Sequence, residues 1–373
     1  MNNNIVYIGM DVHTTTFTFC TFSLTDQKAA NTVTVAADYG QVPRYIENLR
    51  KRKVITHDTQ VICGYEAGCL GYSLYKYLSD RDIDCVILAP STMLKDGKRI
   101  KTDNRDSEKI ARCLAMGGYS SVYVPSEKDQ EVKEYIRMRD DHKKSLKAVK
   151  QEIVAFCHRN GLQYDSGSKR YWTLKHLDWL KKLELAGYLK KTLEEYLITY
   201  HYLQEKIERF DKQIEAIAEE DEYREDVHKL ICLHGIKARS ALALRVEVGD
   251  FTRFPKACNF ASFLGLVPGE SSSGDTKNRT GITKAGNSHL RTILIEASQS
   301  MTKGTPGIKS KGLSKRQAGN APTVIAYADK ANERMRRKYK RMTQQGKKAN
   351  VAKTAIAREM ACFIWGIMTE NMA

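Results

Sequence analysis

Apolar positions in the first third of the chain follow two periods. β-branched or alternating runs predict five strands, at 4–12, 15–24, 31–37, 60–66 and 84–90. Apolar positions three and four apart predict three helices, at 42–52, 68–80 and 103–118. The last helix begins near Asp103 and ends near Gly117, residue types that favour a helix start and a helix end. We therefore predict an α/β domain whose first three strands are antiparallel partners.

Four acidic residues occupy particular places in this domain. Its element order, three strands, helix, strand, helix, strand, helix, is that of a ribonuclease-H-like domain, although other α/β folds begin similarly. Asp11 lies in the first strand and Glu66 closes the fourth, while Asp103 and Asp106 share one face at the start of the third helix. In a ribonuclease-H-like sheet these positions converge at one edge.

A convergence of this kind predicts a metal site. Four carboxylates packed together repel one another unless cations bridge them, and their hard oxygen atoms suit Mg²⁺ or Mn²⁺. Two such ions about 4 Å apart can activate an attacking oxygen and stabilise a leaving one at a phosphodiester. The basic residues around the helix start, Lys101 and Arg105, would then hold the phosphate.

Each acid also has a simpler interpretation. Asp103 can cap its helix, and Asp106 and Glu66 can be surface charges. His13 could be a ligand, but a lone histidine after a strand is more often a loop residue. Asp11 is the hardest to explain in this way, because an acid within an apolar strand is costly without a partner.

The middle of the chain predicts two long helices. Residues 126–160 are charged and contain no proline or glycine, and a second helix is expected at 188–217. Apolar residues recur along the second helix at spacings of three and four, at Leu193, Tyr196, Tyr200, Leu203, Ile207, Phe210, Ile214 and Ile217. This heptad seam predicts a coiled coil and hence a dimer or a higher even oligomer. The alternative is an amphipathic helix packed within its own domain.

The remaining third predicts a mostly helical domain. Residues 230–254 suggest a helix-hairpin-helix, whose turn "HGIK" (234–237) would hold a phosphate through backbone N–H groups, with Lys237 beside it. A following apolar helix is expected to end at Pro268. Residues 351–368 predict a closing apolar helix.

A polar loop follows Pro268. Ser271, Ser272 and Ser273 precede Gly274. Its basic neighbours are Lys277, Arg279, Lys284 and Arg291. A hydroxyl in such a loop could be a nucleophile presented to a phosphate, once a base or metal activates it, with arginines neutralising the developing charge. A flexible Ser/Gly linker is the alternative, and composition alone favours it.

The charge of the chain indicates a polyanionic partner. Lys and Arg number 61 and Asp and Glu 44, giving a formal net charge of +17. Residues 301–350 hold fourteen Lys or Arg and two acids, with Arg336 and Arg337 in a phosphate-binding patch and Tyr339 able to stack on a base. Nucleic acid is the simplest partner, and a merely soluble basic protein is the alternative.

The composition also bears on where the protein works. Nine cysteines are scattered without any C-x-x-C pair, which favours reduced thiols over disulfides or zinc. The N-terminus lacks the features of a signal peptide. No run reaches about 18 apolar residues, so no membrane span is expected. We predict a cytoplasmic location, in a prokaryotic cytosol or nucleoid.

Taken together, the motifs resemble those of the DEDD transposases of insertion-sequence family 110, the bridge-RNA-guided recombinases. The similar stretches span nearly the whole chain in the family's order. They are "YIGMDVH" (7–13), "YEAG" (65–68), "KTDNRDSEKIA" (101–111), "GDFTRFP" (249–255), "LGLVPGESSSG" (264–274), "ITKAGNSHLR" (282–291) and "GKKANVAKTAIARE" (346–359).

The resemblance implies a RuvC-like metal-binding domain at 1–125, a coiled-coil region at 126–222 and a C-terminal transposase domain at 223–373. It carries the metal-binding quartet onto Asp11, Glu66, Asp103 and Asp106. It carries the nucleophile onto Ser273, with Ser272 second, because this chain has three serines where the family usually has one. Ser107 stands where the family often has alanine.

The implied activity is metal-dependent DNA cleavage and rejoining through a phosphoserine link. The quartet of one subunit would work with the serine of another. A structured noncoding RNA would pair with donor and target DNA, so that the basic protein mainly holds backbones. Two other functions stay open: a metal-dependent RuvC-like junction nuclease that uses only the quartet, and a non-catalytic nucleic-acid-binding protein.

Overall fold

The computed structural model describes residues 5–93, 102–165, 171–270, 279–303, 305 and 307–372. The chain divides into two compact units, Met1–Val124 and Pro125–Ala373. The first ends next to residue 125, where the sequence places a domain boundary. Residue 222, the other expected boundary, lies inside the second unit.

The first unit is a five-stranded sheet with three helices. Its strands are β1 Ile5–Val12, β2 Thr16–Ser23, β3 Lys28–Ala36, β4 Gln60–Glu66 and β5 Asp84–Leu88, and its helices are α1 Gln41–Lys51, α2 Ser73–Ser79 and α3 Asp103–Met116. The strand order is β3-β2-β1-β4-β5, with β1 to β3 antiparallel and β1, β4 and β5 parallel. This mixed sheet is consistent with a ribonuclease-H-like domain.

One helix of this unit is shorter than predicted. α2 begins at Ser73 rather than at residue 68, because the chain first makes a turn. Gly71 adopts a positive φ of 54°, and the Tyr65 hydroxyl donates to the Gly71 carbonyl oxygen at 3.0 Å. Gly68 and Gly71, which the sequence analysis placed in the helix, therefore lie in the connection that precedes α2.

The two faces of the sheet carry different side chains, because neighbouring residues of a strand point to opposite sides. Ile8 and Met10 of β1 pack in the core that α1 and α2 cover. Gly9 lies on the other face, against which α3 packs. The same alternation places Asp11 on the α3 side.

The second unit is mostly helical. Its elements are α4 Glu127–Arg159, α5 Leu174–Lys181, α6 Gly187–Ala218, α7 Asp221–Leu230, α8 Ala238–Val248, α9 Ala257–Phe263, β6 Pro268–Glu270, β7 Arg279–Ile282, α10 Ser288–Ser298, α11 Lys311–Gln317, α12 Pro322–Gln344 and α13 Ala349–Met368. None of the helices in the described part of the chain has the length and apolar character needed to cross a membrane.

The heptad seam of α6 packs on α4 of the same chain. Near the start of α6, Leu193 and Tyr200 share a cluster with Ile153 of α4, and near its end Ile214 shares one with Ile136. The two helices are therefore antiparallel. Because this seam is buried within one chain, as the alternative interpretation had it, it no longer argues for an oligomer.

A single core joins the base of this hairpin to the rest of the unit. Ile136 and Ile214 lie in one buried cluster with residues of α7, α8, α10, α12 and α13. The regions 126–222 and 223–373 therefore share their hydrophobic core. α13, predicted from its apolar run, contributes one of the most buried faces, with Ile356, Met360 and Ile364 fully buried.

Candidate functional site

The parallel pairing of β1 and β4 brings two acids to the same edge of the sheet. Met10 is the partner of Tyr65 in this pair. The next residue of each strand is an acid, Asp11 in β1 and Glu66 in β4, so the two acids lie side by side on neighbouring strands. Side-chain alternation places both on the face that α3 covers.

A glycine allows α3 to approach this edge. A methyl group added to Gly9 would lie 2.1 Å from the Ser107 carbonyl oxygen and 2.3 Å from the Ala111 backbone nitrogen. Helix and strand are thus in backbone contact at this point. The contact puts the first turn of α3, which contains Asp103 and Asp106, beside the end of β1.

Three of the side chains at this edge could share one metal ion. Asp11, His13 and Asp103 each offer a ligand atom, and these atoms all lie within 4.8 Å of one another. His13 Nε2 is 3.3 Å from Asp11 Oδ2. The sequence interpretation favoured a loop role for His13. Its position two residues after Asp11, where β1 turns into β2, was the available signal for a ligand.

The electrostatics of Asp11 fit a cation. Burial raises the pKa of this carboxyl, His13 lowers it in part, and the charges of Asp106 and Asp103 raise it again. Its Oδ2 is buried, and its contact with His13 Nε2 at 3.3 Å has poor hydrogen-bond geometry. Such an oxygen is costly unless something satisfies it. A divalent cation would do so and would also offset the repulsion among the acids.

The other predicted residues of this site lie around the three. Glu66 is exposed and Asp106 half-buried, and neither belongs to the 4.8 Å group. Asp106 acts on Asp11 through its charge. Arg105 is exposed on α3, and Lys101 lies outside the described residues.

Of the second candidate site, the serine loop, the structure describes only the segments on either side, which we call the stem. Ser271, Ser272, Ser273 and Lys277 lie outside the described residues. On either side of them, β6 and β7 pair as an antiparallel hairpin, which the sequence did not reveal. Arg279 is the first residue of β7.

The prediction that an apolar helix ends at Pro268 is wrong. α9 ends at Phe263, and Pro268 begins β6. Gly265, with a φ of 63°, closes the helix, and the Leu266 N–H donates to the Ala261 carbonyl oxygen at 3.1 Å. This bonding is a typical glycine-terminated helix end.

The stem is held by close backbone packing and by one arginine. A methyl group added to Gly265 would lie 2.1 Å from the Ala285 carbonyl oxygen, and one on Gly286 would lie 2.0 Å from that of Phe263. Arg291 Nη1 donates to the Leu264 carbonyl oxygen at 3.0 Å and lies 3.5 Å from that of Ala285.

This bonding changes the role expected of Arg291. Its guanidinium ties together the two chain segments that enter and leave the serine loop. We therefore no longer place Arg291 on a nucleic-acid surface. Lys284, in the same stem, is exposed.

The helix-hairpin-helix turn is less open than predicted. α8 lies within the predicted range 230–254, but α7 already ends at Leu230. The His234 N–H donates to Asn332 Oδ1 at 2.8 Å and the Ile236 N–H to the Leu233 carbonyl oxygen at 3.1 Å. These two N–H groups are therefore engaged within the protein. Lys237 is exposed at the start of α8.

The basic helix α12 has a buried and an exposed side. Arg336 is 7% exposed and donates to the carbonyl oxygens of Thr305 and Ile308 at 3.3 and 3.1 Å. Tyr339 packs against the main core. Arg336 is therefore not free to hold a phosphate as the sequence predicted, and Tyr339, which is partly buried, offers only part of its ring for stacking on a base. The Arg337 side chain is 71% exposed.

Comparisons with known proteins agree with this arrangement. The family model DEDD_Tnp_IS110, described as Transposase, matches residues 8–157, and that of the Transposase IS116/IS110/IS902 family matches 227–311. The protein y4qE of Sinorhizobium fredii, named as a transposase, is 34% identical over 82% of this chain and 75% of its own length. The transposase for insertion sequence element IS1533 of Leptospira borgpetersenii is 30% identical over 92% of this chain and 98% of its own.

These matches define a transposase, an enzyme that acts on DNA. A third relative, the transposase for insertion sequence element IS1111A of Coxiella burnetii, is 26% identical over 61% of this chain and 62% of its own length. The chain belongs to the IS110 family of DEDD transposases. That family implies a divalent metal, to which the acidic edge of the first unit corresponds.

Proposed function

We propose that this transposase cuts and rejoins DNA strands with a metal centre at Asp11, Glu66, Asp103 and Asp106 and a nucleophile at Ser273. The observation that carries the proposal is that ligand atoms of Asp11, His13 and Asp103 lie within 4.8 Å of one another, at the buried Oδ2 of Asp11. Family membership supports it, since one family model covers all four acids and the other covers residue 273. His13 is added as a ligand or as a partner that orients Asp11.

The residues of the metal centre have separate tasks. Asp11 and Asp103 would hold a Mg²⁺ or Mn²⁺ ion, and the exposed Glu66 would complete the ligand set from the neighbouring strand. When bound, such an ion stabilises negative charge on phosphodiester oxygens. Asp106 adds the negative charge that attracts the ion, and Arg105 and Lys101 hold the phosphate that approaches it.

The serine would carry out the cleavage and rejoining of the DNA strand. Its Oγ attacks phosphorus, loses its proton and forms an O–P bond, while the bond from phosphorus to one deoxyribose oxygen breaks and that oxygen takes up a proton. A hydroxyl of another strand then attacks the phosphoserine and releases Ser273. One phosphodiester is exchanged for another, so no external energy source is required.

Guidance and assembly complete the proposal. A structured noncoding RNA pairs with donor and target DNA and chooses the sequences. The quartet of one subunit works with the serine of another, so at least a dimer is required. Exposed cations outside the metal centre, among them Lys237, Lys284 and Arg337, hold nucleic-acid backbones with little regard for sequence.

A denaturing-gel test for a covalent protein–DNA adduct examines the whole proposal. The protein is expressed with the DNA that flanks its own gene, so that any guide RNA is present, and receives Mg²⁺ and junction DNA. Wild type is compared with Ser273→Ala, Ser272→Ala and Asp11→Asn. We expect an adduct that Ser273→Ala and Asp11→Asn abolish and that Ser272→Ala keeps.

Other results would support the competing functions. Cleavage without an adduct, unchanged by either serine substitution but lost in Asp11→Asn, would indicate a metal nuclease. Binding without cleavage in all variants would indicate a nucleic-acid-binding protein. An adduct lost in Ser272→Ala instead would move the nucleophile by one residue.

A further inference from the structure

A row of cations lines an open groove between α12 and α13. The basic residues of this groove are Lys330, Arg334, Arg337, Lys338 and Arg341, all on α12. We call it the α12 groove. Positions 330, 334, 337 and 341 are three or four residues apart, so they fall on one face of the helix. At 1.5 Å per residue they extend over about 16 Å.

The opposite face of α12 fixes this row in place. Val324, Ala328 and Met335 are buried in the main core. Because core residues anchor α12 from Val324 to Met335, the cations project from a helix that is held in place. Such a support lowers the entropy lost when a row of charges binds a ligand.

A buried acid organises two of the cations. Glu359 of α13 is 8% exposed and accepts hydrogen bonds from Arg334 and Lys338. Glu333, on α12 itself, pairs with Arg337. The groove thus holds five cations and two acids, a net charge of 5 − 2 = +3. A solvated helix face with balanced ion pairs would not leave this excess.

We propose that the α12 groove binds the phosphate backbone of duplex DNA independently of sequence. The choice of DNA rests on the proposed function, whereas the preference for phosphate rests on the groove itself. Arginines present a planar set of donors that matches phosphate oxygens, and three of the five cations are arginines.

The groove favours a duplex over unpaired bases. Single strands are held largely by aromatic side chains on which bases stack. The groove residues include no aromatic side chain, and Tyr339, the nearest in sequence, packs on the core. A straight row of about 16 Å follows roughly five nucleotides of one strand at 3.4 Å each.

Binding measured without divalent metal tests this proposal separately from catalysis. Fluorescence anisotropy follows a labelled duplex of arbitrary sequence at several salt concentrations. The double variant Arg337→Gln and Arg341→Gln removes two phosphate contacts. We expect the slope of log affinity against log salt to fall by about 1.8, which is 2 × 0.9, and the affinity to fall about tenfold or more.

A matched double variant controls for net charge. Lys144→Gln and Lys182→Gln also remove two positive charges from exposed ion pairs, at side chains 79% and 74% exposed. We expect the wild-type salt slope from this variant. Arg337→Lys with Arg341→Lys keeps both charges and should keep most of the slope. Melting temperatures confirm that all three variants are folded.

Equal losses in the groove variant and the control variant would overturn the proposal, since only total charge would then matter. A loss seen only with single strands or with duplex RNA would overturn the choice of occupant. If wild type forms no covalent adduct but the groove variant loses duplex affinity, the strand-exchange mechanism fails and the groove assignment stands.

Discussion

Substituting Gly9 by alanine should disable the metal centre without unfolding the protein. The new methyl carbon would lie 2.1 Å from the Ser107 carbonyl oxygen, and carbon atoms at this position do not approach closer than 3.0 Å. α3 and β1 must therefore separate by at least 3.0 − 2.1 = 0.9 Å. The obstructing atoms are helix backbone, so no side-chain rotation relieves the contact.

The displacement is small for the fold but large for a metal. Overpacking of this kind costs about 1–3 kcal/mol. Metal–ligand distances tolerate only about 0.2 Å, and Asp103 moves with α3 whereas Asp11 stays on β1. We therefore expect the variant to lose the stabilisation that Mn²⁺ gives wild type, about 2.7 kcal/mol at one hundred times the dissociation constant, and to lose DNA cleavage.

Gly64→Ala provides the control for this prediction. Gly64 is the partner of Gly9 across β1 and β4, but the atoms nearest to a methyl group there are the side-chain ends of Leu114 and Leu88, at 2.8 and 2.9 Å. A shift of 0.2 Å is enough, so metal binding should survive. Thermal unfolding with and without Mn²⁺ compares both variants with wild type. A folded Gly9→Ala variant with wild-type Mn²⁺ stabilisation would refute the idea that this contact positions the acids.

Two further predictions concern the second unit. In Arg291→Lys the side chain is one atom shorter than the path to Arg291 Nη1, which contacts both carbonyl oxygens, so adduct formation should fall at least about tenfold with unchanged DNA affinity. Lys284→Gln, by contrast, should weaken DNA binding. A loss of DNA affinity in Arg291→Lys would return this residue to the nucleic-acid surface. Burial raises the pKa of Glu359, but hydrogen bonds from Lys338 and Arg334 outweigh it, so the folded pKa lies below its ordinary value of 4.5. This carboxylate therefore stabilises the fold above pH 4.5 and loses its effect as pH falls through the folded pKa. Glu359→Gln should lower the free energy of unfolding by about 1–2 kcal/mol at pH 7 and by less at pH 4. Urea unfolding at the two pH values measures this difference, and a pH-independent value would contradict the assignment.

The acidic edge could be predicted from sequence because strand periodicity is short and local. Once β1 and β4 are placed, side-chain alternation puts Asp11 and Glu66 on one face, and the helix start supplies Asp103. The role of Gly9 could not be predicted, because the contact with Ser107 joins residues about one hundred positions apart. His13 was considered as a ligand but a loop role was favoured, because its distance from Asp103 depends on tertiary packing.

The seam of α6 shows a different limit. A heptad pattern specifies that a helix has a continuous apolar stripe, but it does not specify which helix covers the stripe. Here α4, linked to α6 within the same chain, covers it, as the Phe156–Tyr196 ring contact at 6.2 Å illustrates. An intramolecular partner is always present at high effective concentration, so it competes well with a second subunit.

Arg336 and Arg337 explain why a charge count predicts a partner without locating its site. The two are adjacent and chemically identical, yet a turn of 100° per residue separates them on the helix. One therefore bonds to carbonyl oxygens inside the protein, and the other reaches solvent. Composition registers both as equal contributions to a basic patch. The core residues on the other face of α12 fix how the helix is rotated about its axis, and this rotation decides which cations a phosphate can reach. A nucleic-acid surface inferred from sequence should therefore include only the cations on the solvent-facing side of a helix.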